Sequence, residues 1–302
     1  MNKLIATLFG GICISAAALA SDANILLIAG RPSHAPGEHE HNAGALLFQK
    51  CLAGVSGVKV STFLNGQWPD ETVFNGAAAV IIYCDGGGGH VALQDNRLEQ
   101  LGALLKKGVG FGCIHYACEP TTEKGNKEFR DWIGGCFETF WSVNPHWDAE
   151  FKNLPDHPIT RGVKSFQMRD EWYFHMRFRE GMKGVTAILS ATPPAETMSR
   201  PDGAHSGNPA AREAVKKGEP QHVMWACQRD DGGRGFGFTG GHFHKNWGQD
   251  DFRKVVLNAI LWSAKVEVPA AGVTSTVGEE DLKQNLDSKP PRKAKAQPAR
   301  KK

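Results

Sequence analysis

The chain has 302 residues, of which 41% are hydrophobic, 9% aromatic and 22% charged; a substantial core is within reach, and a disordered chain, a collagen-like repeat and a disulfide-dense miniprotein are excluded. The formal net charge of +3 is unevenly spread, since seven basic and no acidic residues lie between Lys289 and Lys302, and with Lys3 also set aside residues 21–288 carry −5. A mildly acidic body excludes nucleic-acid binding through surface charge.

Residues 1–20 read as a secretory signal peptide. Lys3 supplies the basic start, Leu4 to Ile14 the apolar run, and Ala18-Leu19-Ala20 the small-x-small cleavage site. A secreted or periplasmic location follows, without stable membrane insertion, because no later apolar run has the length of a bilayer span. After the signal, Asn24 to Gly30 is a continuous apolar run suited to a strand buried on both faces. Ala43 to Leu52 has helical spacing, and Val58 to Phe63 and Ala77 to Cys84 read as strands, the latter running into Gly86 to Gly89. A helix over Ala92 to Lys107 precedes a strand at Val109 to Ile114. This alternation predicts a single α/β domain with a doubly wound, mostly parallel sheet. Between Thr121 and Pro220 the pattern is irregular, with strand-like pieces at Asp170 to Phe178 and Val185 to Ser190 and a polar excursion from Ala195 to Lys217. His222 to Cys227 and Gly235 to Thr239 resemble paired strands, and a helix over Phe252 to Ala264 closes the domain, which spans 21–268. Residues 269–302, poor in apolar side chains and ending Pro-, Ala- and Lys-rich, predict a disordered basic tail.

In an open α/β sheet, ligands bind outside the carboxyl ends of the strands. Seven of the twelve histidines fall there: His34, His39, His41, His90, His115, His242 and His244. His39-Glu40-His41 and His242-Phe243-His244 are His-x-His pairs, and in an extended chain each pair faces one way and can chelate a divalent cation such as zinc. The same histidines could instead order loops or bind substrate hydroxyls. In Cys113-Ile114-His115-Tyr116-Ala117, an elbow centred on His115 has small residues two positions to either side, which makes His115 the exposed group and Cys113 structural. Asp170 and Glu171 point to opposite faces of a strand, so at most one of them joins a given site; Glu171 is the candidate base or metal ligand, Asp170 a candidate turn cap, and the alternative is that both are surface charges. His90, Asn246 and Trp247 are candidates for substrate contact, Trp247 as a platform for a sugar face. Cys118 and Cys136 flank a polar loop and could pair in an oxidising compartment. Gly86 to Gly89 lacks the Lys-Ser/Thr of a P-loop, and Gly232 to Gly241 lacks dinucleotide spacing, so no nucleotide cofactor is expected.

The Gly-x-Gly-x-x-His segment Gly110 to His115, Asp170-Glu171-Trp172-Tyr173, Gly240-Gly241-His242 and the closing run Phe252 to Ala264 resemble the ThuA-like (trehalose-utilisation) family over Asn24 to Val268. With the segments at His39 to Gly44 and Gly241 to Trp247, the chain looks like the secreted, planctomycete-type branch. The resemblance implies a flavodoxin-like fold of the class I glutamine amidotransferase type, with histidine where the amidotransferases carry their cysteine. It also implies sugar catabolism beside oxidoreductases that make 3-keto-sugars. The expected activity is therefore isomerisation, elimination or hydrolysis of a 3-keto-glycoside by His115 and Glu171, with a metal at His39, His41, His242 and His244. The alternative is a non-catalytic carbohydrate-binding protein.

Overall fold

A computed structural model describes residues 22–290; the expected signal peptide, and the chain beyond Pro290, lie outside the described residues. Four strands arise from the short apolar runs: β1 (Ala23–Ala29), β2 (Val58–Phe63), β3 (Ala77–Tyr83) and β4 (Gly110–Ile114). A two-residue strand β5 (Gly135–Cys136) and the strands β6 (His146–Phe151), β7 (Phe166–Glu171) and β8 (Arg177–Phe178) make up the irregular middle. The strands β9 (Val185–Ala191), β10 (Gln221–Gln228) and β11 (Arg234–Phe238) complete the main sheet. The helices are α1 (His41–Leu52), α2 (Glu71–Phe74), α3 (Arg97–Leu105), α4 (Asn126–Ile133), α5 (Pro209–Lys216), α6 (Asp250–Ser263) and α7 (Glu279–Leu282).

The main sheet has seven strands in the order β2-β1-β3-β4-β11-β10-β9. Pairing is parallel from β2 through β11 and antiparallel from β11 to β9, so the expected mostly parallel, doubly wound sheet is present. Two apolar layers flank it. One combines α1 and α6 with the β6–β7 hairpin, the other α3 and α4; burial on both sides is why β1, β3 and β4 read as unbroken apolar runs. The strand order reverses between β1 and β3, and the carboxyl ends of β1, β3, β4 and β11 share one edge.

Three expectations need correction. The excursion over 195–217 is not a bare surface loop: Asn208 caps α5 by accepting from Ala211 N, and Ala211, Ala214 and Val215 are buried. Cys118 and Cys136 are buried free thiols, each giving its S–H to main-chain carbonyls rather than to a disulfide. The segment 269–290 is ordered against the body. Val273 is buried and its N–H donates to Asn258 Oδ1, and Lys289 reaches Glu40 at 3.2 Å with both side chains almost fully buried, 2% and 1% exposed. Composition misled because three apolar side chains, Val273, Val277 and Leu282, together with one buried ion pair are enough to dock the segment. Among the described residues, no helix is long and apolar enough to cross a membrane.

Breaking a buried ion pair strands the surviving charge. Glu40 keeps N–H donors from Gly37 and Asp287, which places Lys289→Met at the lower end of the range for such pairs, a loss of about 3 kcal/mol. Urea denaturation of this variant beside Lys283→Met, whose ammonium is exposed, checks it: equal midpoints would show that the buried pair contributes nothing.

Candidate functional site

The sheet edge builds the site from four loops. After β1 the chain passes through His34 and His39, both at positive φ (59° and 47°), before entering α1. After β3 comes Asp85. Gly86 follows, and a Cβ there would lie 2.4 Å from the Tyr116 carbonyl, so only glycine lets this loop lie against the turn beyond β4. After β4 the elbow falls on His115, at φ 58°, as the spacing of small residues predicts. After β11, Gly241 at φ 105° turns the chain over the Trp247 ring and delivers His242. The fifth contributor is the β6–β7 hairpin. Asp170 faces inward and Glu171 outward, as strand alternation requires.

His39, His115, His242 and Glu171 each present a ligand atom, all within 4.8 Å of one another. The protonation states follow from their partners. His115 Nδ1 lies 2.8 Å from the Thr239 carbonyl, which can only accept, so Nδ1 carries the proton and Nε2 the lone pair. His39 Nδ1 donates to Asp85 Oδ1 at 2.8 Å, which leaves its Nε2 bare as well. These two Nε2 atoms face each other at 3.0 Å. His242 Nδ1 is 3.0 Å from His39 Nε2 and 3.1 Å from Glu171 Oε2, and Glu171 Oε2 is 3.6 Å from His115 Nε2. Burial, reinforced by neighbouring histidines, pushes His115 and His39 well below the usual imidazole range, so both are neutral at pH 7. For His242, burial acts downward, but the hydrogen bond and charge of Glu171 outweigh it and raise the pKa.

Two facing lone pairs at this distance repel unless a cation lies between them or donors turn to them, and the donors within reach are His242 Nδ1, 3.0 Å from His39 Nε2, and the Tyr173 hydroxyl, 3.4 Å from His115 Nε2. The donor set has the features of a divalent-cation site. Neutral imidazoles and a carboxylate converge, and the remote N–H groups of His39 and His115 are held by a carboxylate and a carbonyl. Tetrahedral zinc ligands lie about 3.4 Å apart, which these separations bracket. His39, His115, His242 and Glu171 are thus able to hold such an ion.

Several sequence expectations change here. His41 is outside the cluster. Its Nδ1 donates to the Arg31 carbonyl at 3.2 Å and its Nε2 lies 3.7 Å from Asp85; positive φ at His39 and the start of α1 at His41 break the extended geometry that would have aligned the pair. His244 opens a short 3-10 turn and lines a separate cavity with Phe243, Leu282 and Leu286. Burial pushes its pKa down to about 4. His115 is fully buried rather than exposed. His90 is committed to the main chain, accepting from Ala92 N and donating to the Ala117 carbonyl. Trp247 is buried against Phe48 and Phe252, with no face open to a sugar. Asn246 supports the site from behind, donating to Asp170 Oδ2 and the Arg169 carbonyl.

Sequence reasoning missed Asp85, Tyr173 and the role of Asp170. Asp85 stands just past β3, at the reversal of strand order, and that position was the available signal. The Tyr173 hydroxyl lies 3.4 Å from His115 Nε2. Fully buried Asp170 accepts from the N–H groups of Glu171, Gly241 and His242 at 2.7–3.0 Å. Removing it leaves three backbone N–H groups unpaired and takes one of the two acceptors of the Asn246 amide, so Asp170→Ala should cost at least about 3 kcal/mol. The check is its denaturation midpoint against that of Asp148→Ala, an exposed carboxylate on the same hairpin; similar midpoints would refute this role.

The ThuA family, described as trehalose utilisation, matches residues 26–263. No curated protein matches the chain. The fold is similar to that of a ThuA-like protein from Bacteroides uniformis, with TM-score 0.57 and 15% identity over 82% of this chain and 93% of that one. It is also similar to a ThuA-like protein from Parabacteroides merdae, with TM-score 0.51 and 15% identity over 86% of this chain and 94% of that one. The family match covers the sheet and all four site loops; the chain belongs to the ThuA trehalose-utilisation family.

Proposed function

We propose that this protein is an exported enzyme of sugar utilisation that holds a divalent cation, zinc or a similar ion, at the His39–His115–His242–Glu171 cluster and acts on 3-keto-glycosides. The observation that carries this reading is the pair of bare Nε2 atoms facing each other at 3.0 Å. A ligand platform for intact sugars would present exposed rings, whereas the ring suggested for that role, Trp247, is buried. The 3-keto substrate class comes from the family resemblance.

A ketone at C3 acidifies the C2 proton, so the reaction needs a base beside a stabiliser of enolate charge. A bound cation supplies that electrophilic stabilisation. The chain's own residues do the rest. Glu171 is the most open of the four, with 12% of its side chain exposed; its Oε2 belongs to the ligand set, and its second oxygen, Oε1, is the base that takes the C2 proton. His242 Nδ1 lies 3.1 Å from Glu171 Oε2, so ring and carboxylate converge as neighbouring members of the same ligand set. Asp85 fixes the His39 ring and Thr239 the His115 ring, so neither imidazole rotates to take a proton from solvent.

The test follows C2 hydrogen–deuterium exchange in 3-keto-glucosides by NMR, with elemental analysis of the purified protein. Glu171→Gln should slow exchange about 10²- to 10⁴-fold. His39→Ala and His242→Ala should lose the metal, while His41→Ala and His244→Ala keep it. Asp85→Asn should weaken metal affinity about 10- to 100-fold. Undiminished turnover in both His115→Ala and His242→Ala, or a metal content indifferent to His39, would defeat the proposal.

A further inference from the structure

Outside the cluster lies a second pair of titratable groups. Glu119 follows the elbow turn at the end of β4, and its Oε1 accepts from His205 Nε2 at 2.8 Å. The Glu119 side chain is 3% exposed, and its Oε2 is buried with no hydrogen-bond partner among the described residues. The His205 ring is 35% exposed. Its main chain is pinned: the carbonyl accepts from Asn144 N at 3.0 Å and from Arg200 Nη2 at 3.1 Å.

The pair shares a wall with the cluster. The Phe137 ring stacks on His205 at 5.2 Å and meets Tyr173 at 5.4 Å. The Tyr173 hydroxyl reaches His115 Nε2 at 3.4 Å. The Tyr116 ring meets that of Tyr173 edge-on at 6.3 Å, and the charges of both Glu119 and Glu171 raise the pKa of each tyrosine after burial. An anchor for the 199–208 loop would not need a carboxylate with a stranded oxygen, because desolvating an unpaired polar atom costs stability. The environments are also distinct. Burial pushes Glu119 up, and the hydrogen bond that His205 donates to Glu119 is the main cause that raises His205, against burial and Arg200 and with Glu171 assisting. Such a pair retains a proton toward neutral pH.

We propose that His205, oriented by Glu119, is the general acid that protonates the leaving glycosidic oxygen opposite the Glu171 base. This assignment rests on the 3-keto-glycoside reading above. Glu171 takes the C2 proton, and the electron pair forms the C2–C3 enolate. As the C3 carbonyl re-forms, the pair moves to make C1=C2 and the C1–O bond breaks. The departing oxygen takes the proton from His205 Nδ1, releasing the free alcohol and a 1-ene-3-one. No oxidant or reductant is required. The imidazole then recovers a proton from solvent through its open edge.

Leaving-group dependence separates an acid from a loop anchor. On methyl 3-keto-glucoside, whose alkoxide leaves poorly, Glu119→Gln and His205→Gln should lower kcat about 10²- to 10³-fold. On 4-nitrophenyl 3-keto-glucoside, whose phenolate needs no proton, the loss should be about threefold or less, with C2 exchange and metal content at wild-type levels. Equal losses on both substrates would overturn the dyad. His205→Gln, altering a partly open side chain, keeps the test valid should Glu119→Gln fail to fold. A wild-type protein that neither exchanges the C2 proton nor releases methanol would overturn the underlying reading, and the dyad with it; one that exchanges the proton but shows equal losses in the variants overturns the dyad alone.

Discussion

The site depends on one buried carboxylate. Asp170 belongs to a hairpin outside the main sheet, yet it accepts three backbone N–H groups, two of them from the loop that carries His242. The cost of burying its charge is offset by these donors and by Asn246. Asp170 thereby ties the β6–β7 hairpin to the turn after β11. Because Glu171 is the next residue and projects to the opposite face, fixing Asp170 also fixes the carboxylate of the cluster. Inner and outer faces of one strand divide the work, with one carboxylate holding the loop and the other entering the site.

Strain accompanies that precision. Positive φ at His34, His39 and His115 lies in a region that side-chain-bearing residues seldom occupy. His115 stands at the turn directly after β4, and His34 and His39 lie in the loop that joins β1 to α1. The bends place Nε2 atoms where a smooth loop would scatter them. Surrounding contacts over-determine the bends: the His242 carbonyl accepts from His39 N–H, Asp85 holds the His39 ring and Thr239 the His115 ring.

Much of the fold was legible because burial on both faces leaves a simple signature. β1, β3 and β4 appeared as apolar runs with nearly the observed boundaries, and the carboxyl-edge rule pointed to the right loops. The elbow at His115 was legible from the small residues around it. The pairing of histidines was not, since a two-residue spacing implies a shared direction only in extended backbone, and His39 is not extended. Trp247 illustrates a second limit. An aromatic beside a site residue is ambiguous until packing is known, and here the ring forms the floor under Gly241. Glu119 and His205 are 86 residues apart, and their meeting depends on an irregular segment for which periodicity offers no guide.

The clasp formed by Lys289 bears on how the site is held. Its ammonium donates to the carbonyl of His39, 250 residues earlier in the chain, and to that of Glu38. Holding together groups so far apart in the chain costs closure entropy that local pairings do not. Lys289 is thus a third hold on the His39 turn, beside the His242 carbonyl and Asp85, and it couples the donor set to the far end of the described chain. A change that loosens the end of the described chain therefore reaches the site through main-chain carbonyls alone, without touching any of the four clustered side chains.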